Sequence, residues 1–290
     1  MALTINTNIS ALVARGNLTK ATTNLNSAIE RMTTGYKINH ASDNAAGFSI
    51  ARNWETQLGS LDVAADNAAT GADMLTTLED TYTLVTSHLQ RVRDLTEQAS
   101  NGTYGSQSLR AIKSEITARL QEIDRISANC EFNGLKMMDG TMKEDIAIQV
   151  GLYGDDDSRI TLSKDLFLAS DVKTLFGGSD ELEDIAEDCS GVTDTAVVGN
   201  QEQMLAKIDS VINAISSRVT TLGAAQNRID SATESIAVQT ENLTSSLSTL
   251  RDADIAEESS NFIQAQILQQ AAATLLSTAN QTPSIALNLL

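Results

Sequence analysis

The chain is short of the residues that stiffen or staple a fold. Its 290 residues include one proline, Pro283, and two cysteines, Cys130 and Cys189. The cysteines lie far apart, with no Cys-x-x-Cys spacing and no nearby histidine pair, so free thiols are expected and not a disulfide or a metal site. Aromatic residues make up only 3%, which argues against a globule with an aromatic core and for helices packed through small side chains. No run of about 18 apolar residues is present, so no membrane-spanning helix is expected. The start, Met1 to Asn6, lacks both the charged and the apolar part of a secretory signal; any export is expected to use a route that reads no cleaved leader. Positive charge is also scarce. A net charge of −18 repels nucleic acid and anionic membrane, and excludes both as main partners. There is no phosphate-binding glycine loop, no His-Glu-x-x-His pair and no nucleophile beside a base, so neither an enzyme nor a cofactor is expected.

What the chain has is periodicity. Trp54, Leu58, Leu61, Ala65, Ala68, Ala72, Leu75, Leu78, Tyr82, Val85, Leu89, Val92, Leu95 and Ala99 follow one another in steps of three and four. That spacing keeps one face of an α-helix apolar at the period where two helices stay in contact by supercoiling. At about 1.5 Å per residue the helix would be roughly 65 to 70 Å long. A compact domain of this size spans only about 40 Å, so the spacing predicts a rod. A matching stripe runs through Met204, Ile208, Val211, Ile215, Val219, Leu222, Ala225, Ile229, Ala232 and Ile236, and resumes at Leu243, Leu247 and Leu250. The expected fold is mainly α: a long coiled-coil-like rod of paired N- and C-terminal arms, with the middle of the chain at the far tip.

Before the first long helix, Ile5, Ile9, Leu12, Leu25, Ile29 and Met32 form a thin stripe among Asn, Thr and Ser. It buries too little to offset the entropy of ordering, which predicts an arm that is helical only when neighbours cover it. Gly35 interrupts this arm, and Ala41 to Asn44 offer capping oxygens for the long helix. That helix should stop near Asn101-Gly102, and a shorter one follows through Leu109, Ile112, Ile116, Leu120, Ile123, Ile126 and Cys130. From about 132 to 198 the character changes. Ile146, Ile148 and Val150 alternate with polar residues and pair on paper with Ile160 and Leu162, giving a hairpin turned at 151–158. The acidic run 180–188 reads as exposed loop or short helix ends. A last amphipathic helix carries Ile255, Phe262, Ile263, Ile267, Leu268, Ala271, Leu275 and Ala279. His40 and His88 lack ligands at useful spacing. Asp155, Asp156 and Asp157 lack the closing Glu of a calcium loop and read as a solvated turn.

Several stretches are similar to one known family. Residues 30–39, Glu-Arg-Met-Thr-Thr-Gly-Tyr-Lys-Ile-Asn, and 43–47, Asp-Asn-Ala-Ala-Gly, resemble the signature of bacterial flagellins. So do 89–95, Leu-Gln-Arg-Val-Arg-Asp-Leu; 132–134, Phe-Asn-Gly; 265–271, Ala-Gln-Ile-Leu-Gln-Gln-Ala; and 279–283, Ala-Asn-Gln-Thr-Pro. The resemblance implies a minimal flagellin without large outer domains, a structural subunit that polymerises into the flagellar filament for motility. It implies a division into an N-terminal inner segment, 1–42, a rod, 43–253, and a C-terminal inner segment, 254–290, the inner segments ordering on assembly. Ile5, Ile9, Leu12, Ile263, Ile267 and Leu275 would form the assembly seam.

Flagellins are exported unfolded by the flagellar type III apparatus. The resemblance therefore implies an extracellular filament, with an export chaperone, a filament cap and hook-junction proteins as partners beside the chain itself. The scarcity of proline suits refolding after export, because X-Pro isomerisation is slow. Two host sensors are implied as well. Gln90, Arg91, Val92, Leu95 and Glu115 match the patch read by the Toll-like receptor for flagellin, and also read as a stripe docking a neighbouring subunit. Leu287, Leu289 and Leu290 resemble the leucine-rich end read by inflammasome sensors. A hook-filament junction protein shares similar ends, and a soluble helical adaptor would use the same stripes for one partner.

Overall fold

The computed structural model describes residues 7–177, 182–191 and 201–288, with side chains for all of these except 182, 183 and 282–288. It is mainly α. Helix α1 is Ile9–Thr34, α2 is Ala45–Ala99 and α3 is Ser106–Asn129. Two short strands, β1 (Glu131–Phe132) and β2 (Leu135–Lys136), precede two longer ones, β3 (Ile146–Gln149) and β4 (Arg159–Leu162). Then come α4 (Val172–Leu175), α5 (Leu182–Ser190), α6 (Gln201–Arg251) and α7 (Ile255–Asn288).

Local chemistry sets the helix ends. Asn8 Oδ1 accepts from the Ala11 N–H at 3.0 Å to start α1, and Gly35, at φ 76°, ends it in the left-handed conformation that costs glycine little. Asp43 Oδ2 accepts from the backbone N–H groups of Asn39 and His40 at 3.1 and 3.0 Å. The His40 bond holds the Asp43 carboxyl below its usual range. Asn44 Oδ1 then accepts from Gly47 N–H at 2.9 Å and opens α2.

The chain gathers into two compact units. One is Met1–Gly59 with Thr240–Leu290, the other Ser60–Gln239. In the second unit, α2, α3 and α6 share one core. Leu75, Leu78, Tyr82, Val85, Leu89, Val92 and Leu95 of α2 meet Ile116, Leu120 and Ile123 of α3 and Ile208, Ile215 and Leu222 of α6, all essentially without exposure. The two stripes expected from periodicity therefore build this core, with one local shift: Ala64 is buried where Ala65 was expected, and Ala65 and Ala72 are half-covered. Arg93 Nε donates to Asp209 Oδ1 at 2.6 Å, and Gln226 Nε2 donates to Glu79 Oε2 at 2.8 Å, so α2 and α6 run antiparallel.

The insert packs onto the same core. β1 and β2 pair as Phe132 with Leu135, across Asn133 and Gly134 at φ 48° and 82°. Positive φ at both turn residues matches the right-handed strand twist of a tight hairpin. β3 and β4 pair as the expected hairpin, and the register places Ile146 opposite Leu162 and Ile148 opposite Ile160. Gly71 of α2 makes room for Ile148, whose Cδ1 occupies the place a Cβ at 71 would take. The Tyr82 hydroxyl donates to the Leu166 carbonyl at 2.8 Å, so the one buried tyrosine is satisfied.

The acidic run corrects its sequence reading. Residues 182–190 form helix α5, with Ile185, Ala186 and Cys189 fully buried. Lys113 Nζ of α3 meets Glu187 Oε1 at 2.9 Å and neutralises part of that acidity at the contact. Burial pushes the Cys189 thiol up to about 12 and raises that of Cys130 as well, so both free thiols are unreactive by ionisation.

Candidate assembly interface

In the first unit, α1 and α7 lie antiparallel and close. Three contacts fix the register: Asn8 Nδ2 donates to the Ala279 carbonyl at 2.7 Å, Gln269 Nε2 to Thr22 Oγ1 at 3.1 Å, and Arg31 Nη1 meets Glu258 Oε1 at 3.2 Å. The facing positions are Ala11, Ala14, Leu18, Ala21, Leu25, Ala28 and Met32 against Glu258, Phe262, Ala265, Gln269, Ala272, Leu276 and Ala279, all buried or half-buried. Both sets step by three and four, the spacing of a helix pair.

The structure divides the stripes expected for the two ends: Leu25, Met32 and Phe262 lie within the pair, whereas Ile9, Leu12, Ile263, Ile267 and Leu275 do not. Inside the pair Leu18, Leu25, Met32, Phe262 and Leu276 lie half-buried beside the buried alanines, while other large apolar residues face away from it. Ile9 is 68% exposed, Leu12 59%, Ile263 54%, Ile267 60% and Leu275 62%, and Val13 and Leu268 are bare beside them. The reason is steric. Helix axes approach only as far as the facing side chains allow, so the most buried apolar places go to Ala14, Ala21, Ala28, Ala265 and Ala272, and these bare residues are turned outward. Ile5, Leu289 and Leu290 lie outside the described residues, as does the side chain of Leu287.

Both helix breaks of this unit meet at one corner. The Lys37 N–H donates to the Arg251 carbonyl at 2.7 Å and the Ala253 N–H to the Gly35 carbonyl at 2.8 Å. Lys37 Nζ donates to the Thr249 carbonyl at 2.8 Å. The Arg251 guanidinium sits 4.1 Å from the Tyr36 ring centre and pairs with the Glu55 carboxylate. The stretches 30–39 and 43–47 thus form one side of a joint whose other side is the end of α6. Arg251 was missed in the sequence; its only signal there is a lone cation in the last turn of a long helix.

The patch on α2 and α3 is narrower than its motif suggests. Gln90 and Arg91 are exposed, and Arg91 Nε donates to the half-exposed Glu115 at 2.9 Å. Val92 and Leu95, however, are buried at 0% and 2% exposure in the core. Positions 92 and 95 continue the three-and-four count from Leu89, so the helix turns them inward whatever surface their neighbours offer. Nearby, His88 Nδ1 is buried without a hydrogen-bond partner. Burial, then the charge of Arg119, lowers its pKa from 6.5.

Long helices, a core filled by α2, α3 and α6, and an apolar face left bare on α1 and α7 define a helical structural protein. The N-terminal part matches the family described as bacterial flagellin N-terminal helical region over residues 5–143, and the C-terminal part matches the bacterial flagellin C-terminal helical region over 205–290. The chain is 35% identical over 302 aligned residues to the flagellin of Bacillus subtilis (strain 168), spanning 99% of each chain. It is 36% identical over 316 aligned residues to the flagellin of Xenorhabdus nematophila, spanning all of both. A solved putative flagellar hook-associated protein from Vibrio parahaemolyticus is alike in fold, with TM-score 0.60 at 13% identity, over 72% of this chain and 100% of that one. The chain belongs to the bacterial flagellin family and is a structural subunit of the flagellar filament.

Proposed function

We propose that subunits pack in the filament through the bare apolar residues of α1 and α7, Ile9, Leu12, Ile263, Ile267 and Leu275. The exposure of these large apolar side chains carries the reading. Covering one of them fully is worth about 1.5–3 kcal/mol, so a stack of copies supplies what the alanine-lined pair lacks. The ends, 1–42 and 254–290, gain their stability on assembly as the inner part of the filament, while 43–253 forms the outer rod. Identical subunits meeting through different faces extend without closing, which suits an open helical polymer.

Family membership supports export unfolded through the growing structure, with a chaperone, a cap and hook-junction proteins as partners, and an extracellular filament. Recognition by a Toll-like receptor would rest on Gln90, Arg91 and Glu115, the exposed members of the patch, with Val92 and Leu95 acting from beneath. Leu287, Leu289 and Leu290 would serve an inflammasome sensor.

Ile267→Asp and Leu275→Asp test the interface. Each places a charge where an apolar contact is proposed, and seeded chain should then stay small in sedimentation while the helical circular dichroism of residues 60–239 persists. Filaments of normal length with either change remove the proposal.

A further inference from the structure

Two Asn-Gly pairs stand at turns, Asn101-Gly102 between α2 and α3 and Asn133-Gly134 between β1 and β2. Such a pair can modify itself. The glycine backbone nitrogen attacks the asparagine Cγ, the Cγ–Nδ2 bond breaks, and ammonia leaves with the proton given up by that nitrogen. Water then opens the cyclic imide at either carbonyl, giving Asp or its β-linked isomer. No electrons are transferred, and glycine permits the reaction because no side chain shields its nitrogen.

The two sites differ in their freedom to reach the ring geometry, which requires the asparagine ψ to turn. Asn133 is locked. It holds φ 48° between strands paired as Phe132 with Leu135 and Glu131 with Lys136, and Met137 and Met138 beyond them are fully buried. Turning it breaks the hairpin. Asn101, Gly102 and Thr103 are all exposed. The backbone of Asn101 is tied only by long bonds, its N–H to the Gln98 carbonyl at 3.2 Å and its carbonyl to the Tyr104 N–H at 3.3 Å. Its side chain already folds over the Gly102 peptide, with Oδ1 accepting from the Thr103 N–H at 3.2 Å.

We propose that Asn101 is a deamidation site of the folded chain and that Asn133 is protected from the same reaction by its hairpin. The product adds a carboxylate just past the C-terminus of α2, where the helix dipole disfavours negative charge by a small amount. The modification therefore accumulates without unfolding the chain.

Peptide mapping by mass spectrometry of the full chain, aged in mildly alkaline buffer with and without denaturant, tests this. In the folded chain the Asn101 peptide should gain about 1 Da and split into two isomers while the Asn133 peptide stays unchanged. In denaturant both should convert. Equal protection of the two sites in the folded chain, or faster conversion at Asn133, overturns the proposal. Gly102→Ala is a clean control, since nothing lies within 4 Å of a Cβ there and Gly102 is not among the glycines with positive φ. It should keep the fold and slow the gain at Asn101 several-fold; an undiminished gain overturns the ring-closure route.

Discussion

The α1–α7 pair and the core of residues 60–239 use the same three-and-four spacing and fill it oppositely. In the core, large residues such as Leu89, Leu120 and Ile215 point inward. Between α1 and α7 the buried apolar places are Ala14, Ala21, Ala28, Ala265 and Ala272, with Leu18, Leu25 and Leu276 half-buried beside them, and Ile9, Leu12, Ile263, Ile267 and Leu275 face out. The backbones respond accordingly. Cα atoms of α1 and α7 come within 8 Å repeatedly, whereas α2, α3 and α6 approach one another that closely at no more than isolated pairs. Close approach brings good van der Waals contact but little apolar area, and area is what the hydrophobic effect rewards. The core is thus complete within one chain, and the terminal pair leaves large apolar side chains exposed, which we propose another copy covers.

The contrast is broken most sharply in the core. Leu120→Ala removes a side chain with no exposure and should cost about 2–5 kcal/mol in denaturant unfolding of residues 60–239. A loss well below that range would mean that the core collapses readily around the gap. Ala21→Leu inverts the change in the terminal pair. Overpacking there should cost about 1–3 kcal/mol, read as faster hydrogen exchange in α1 and α7 with the core exchange unaltered. Unchanged exchange would show that the alanines are not what sets the helix separation.

The smallest effect is expected at His88, at the edge of the core. Its folded pKa lies below 6.5, chiefly through burial, with Arg119 acting the same way and Glu122 opposing. The unfolded chain therefore takes up the proton first as pH falls. The contribution to stability is fully present above 6.5 and is lost as pH drops below it. Wild type should lose stability relative to His88→Gln on acidification from neutral pH, and the two should run parallel above neutrality. Parallel curves throughout would mean that charging His88 costs the fold nothing.

Much of this architecture is legible from residue order. Leu61 to Ala99 and Met204 to Ile236 keep a period that only a helix satisfies, and Ile146, Ile148, Ile160 and Leu162 alternate as a hairpin must. The reading failed where a residue's ordinary preference was overruled by its neighbours. Residues 180–188 read as exposed loop or short helix ends because of their acidity, yet Ile185, Ala186 and Cys189 of α5 are buried, with Lys113 of α3 supplying the counter-charge. Val92 and Leu95 were placed on a surface by motif although their own spacing already put them in the seam.

Residue order by itself determined that this is a chain of long helices with thin apolar stripes at both ends, because helical period and composition are local properties. Only the tertiary structure decided which side of each terminal helix faces its partner. Alanine and isoleucine are both apolar on a hydropathy scale, and the choice between them rests on how near two backbones come, a distance that exists only once both helices are in place.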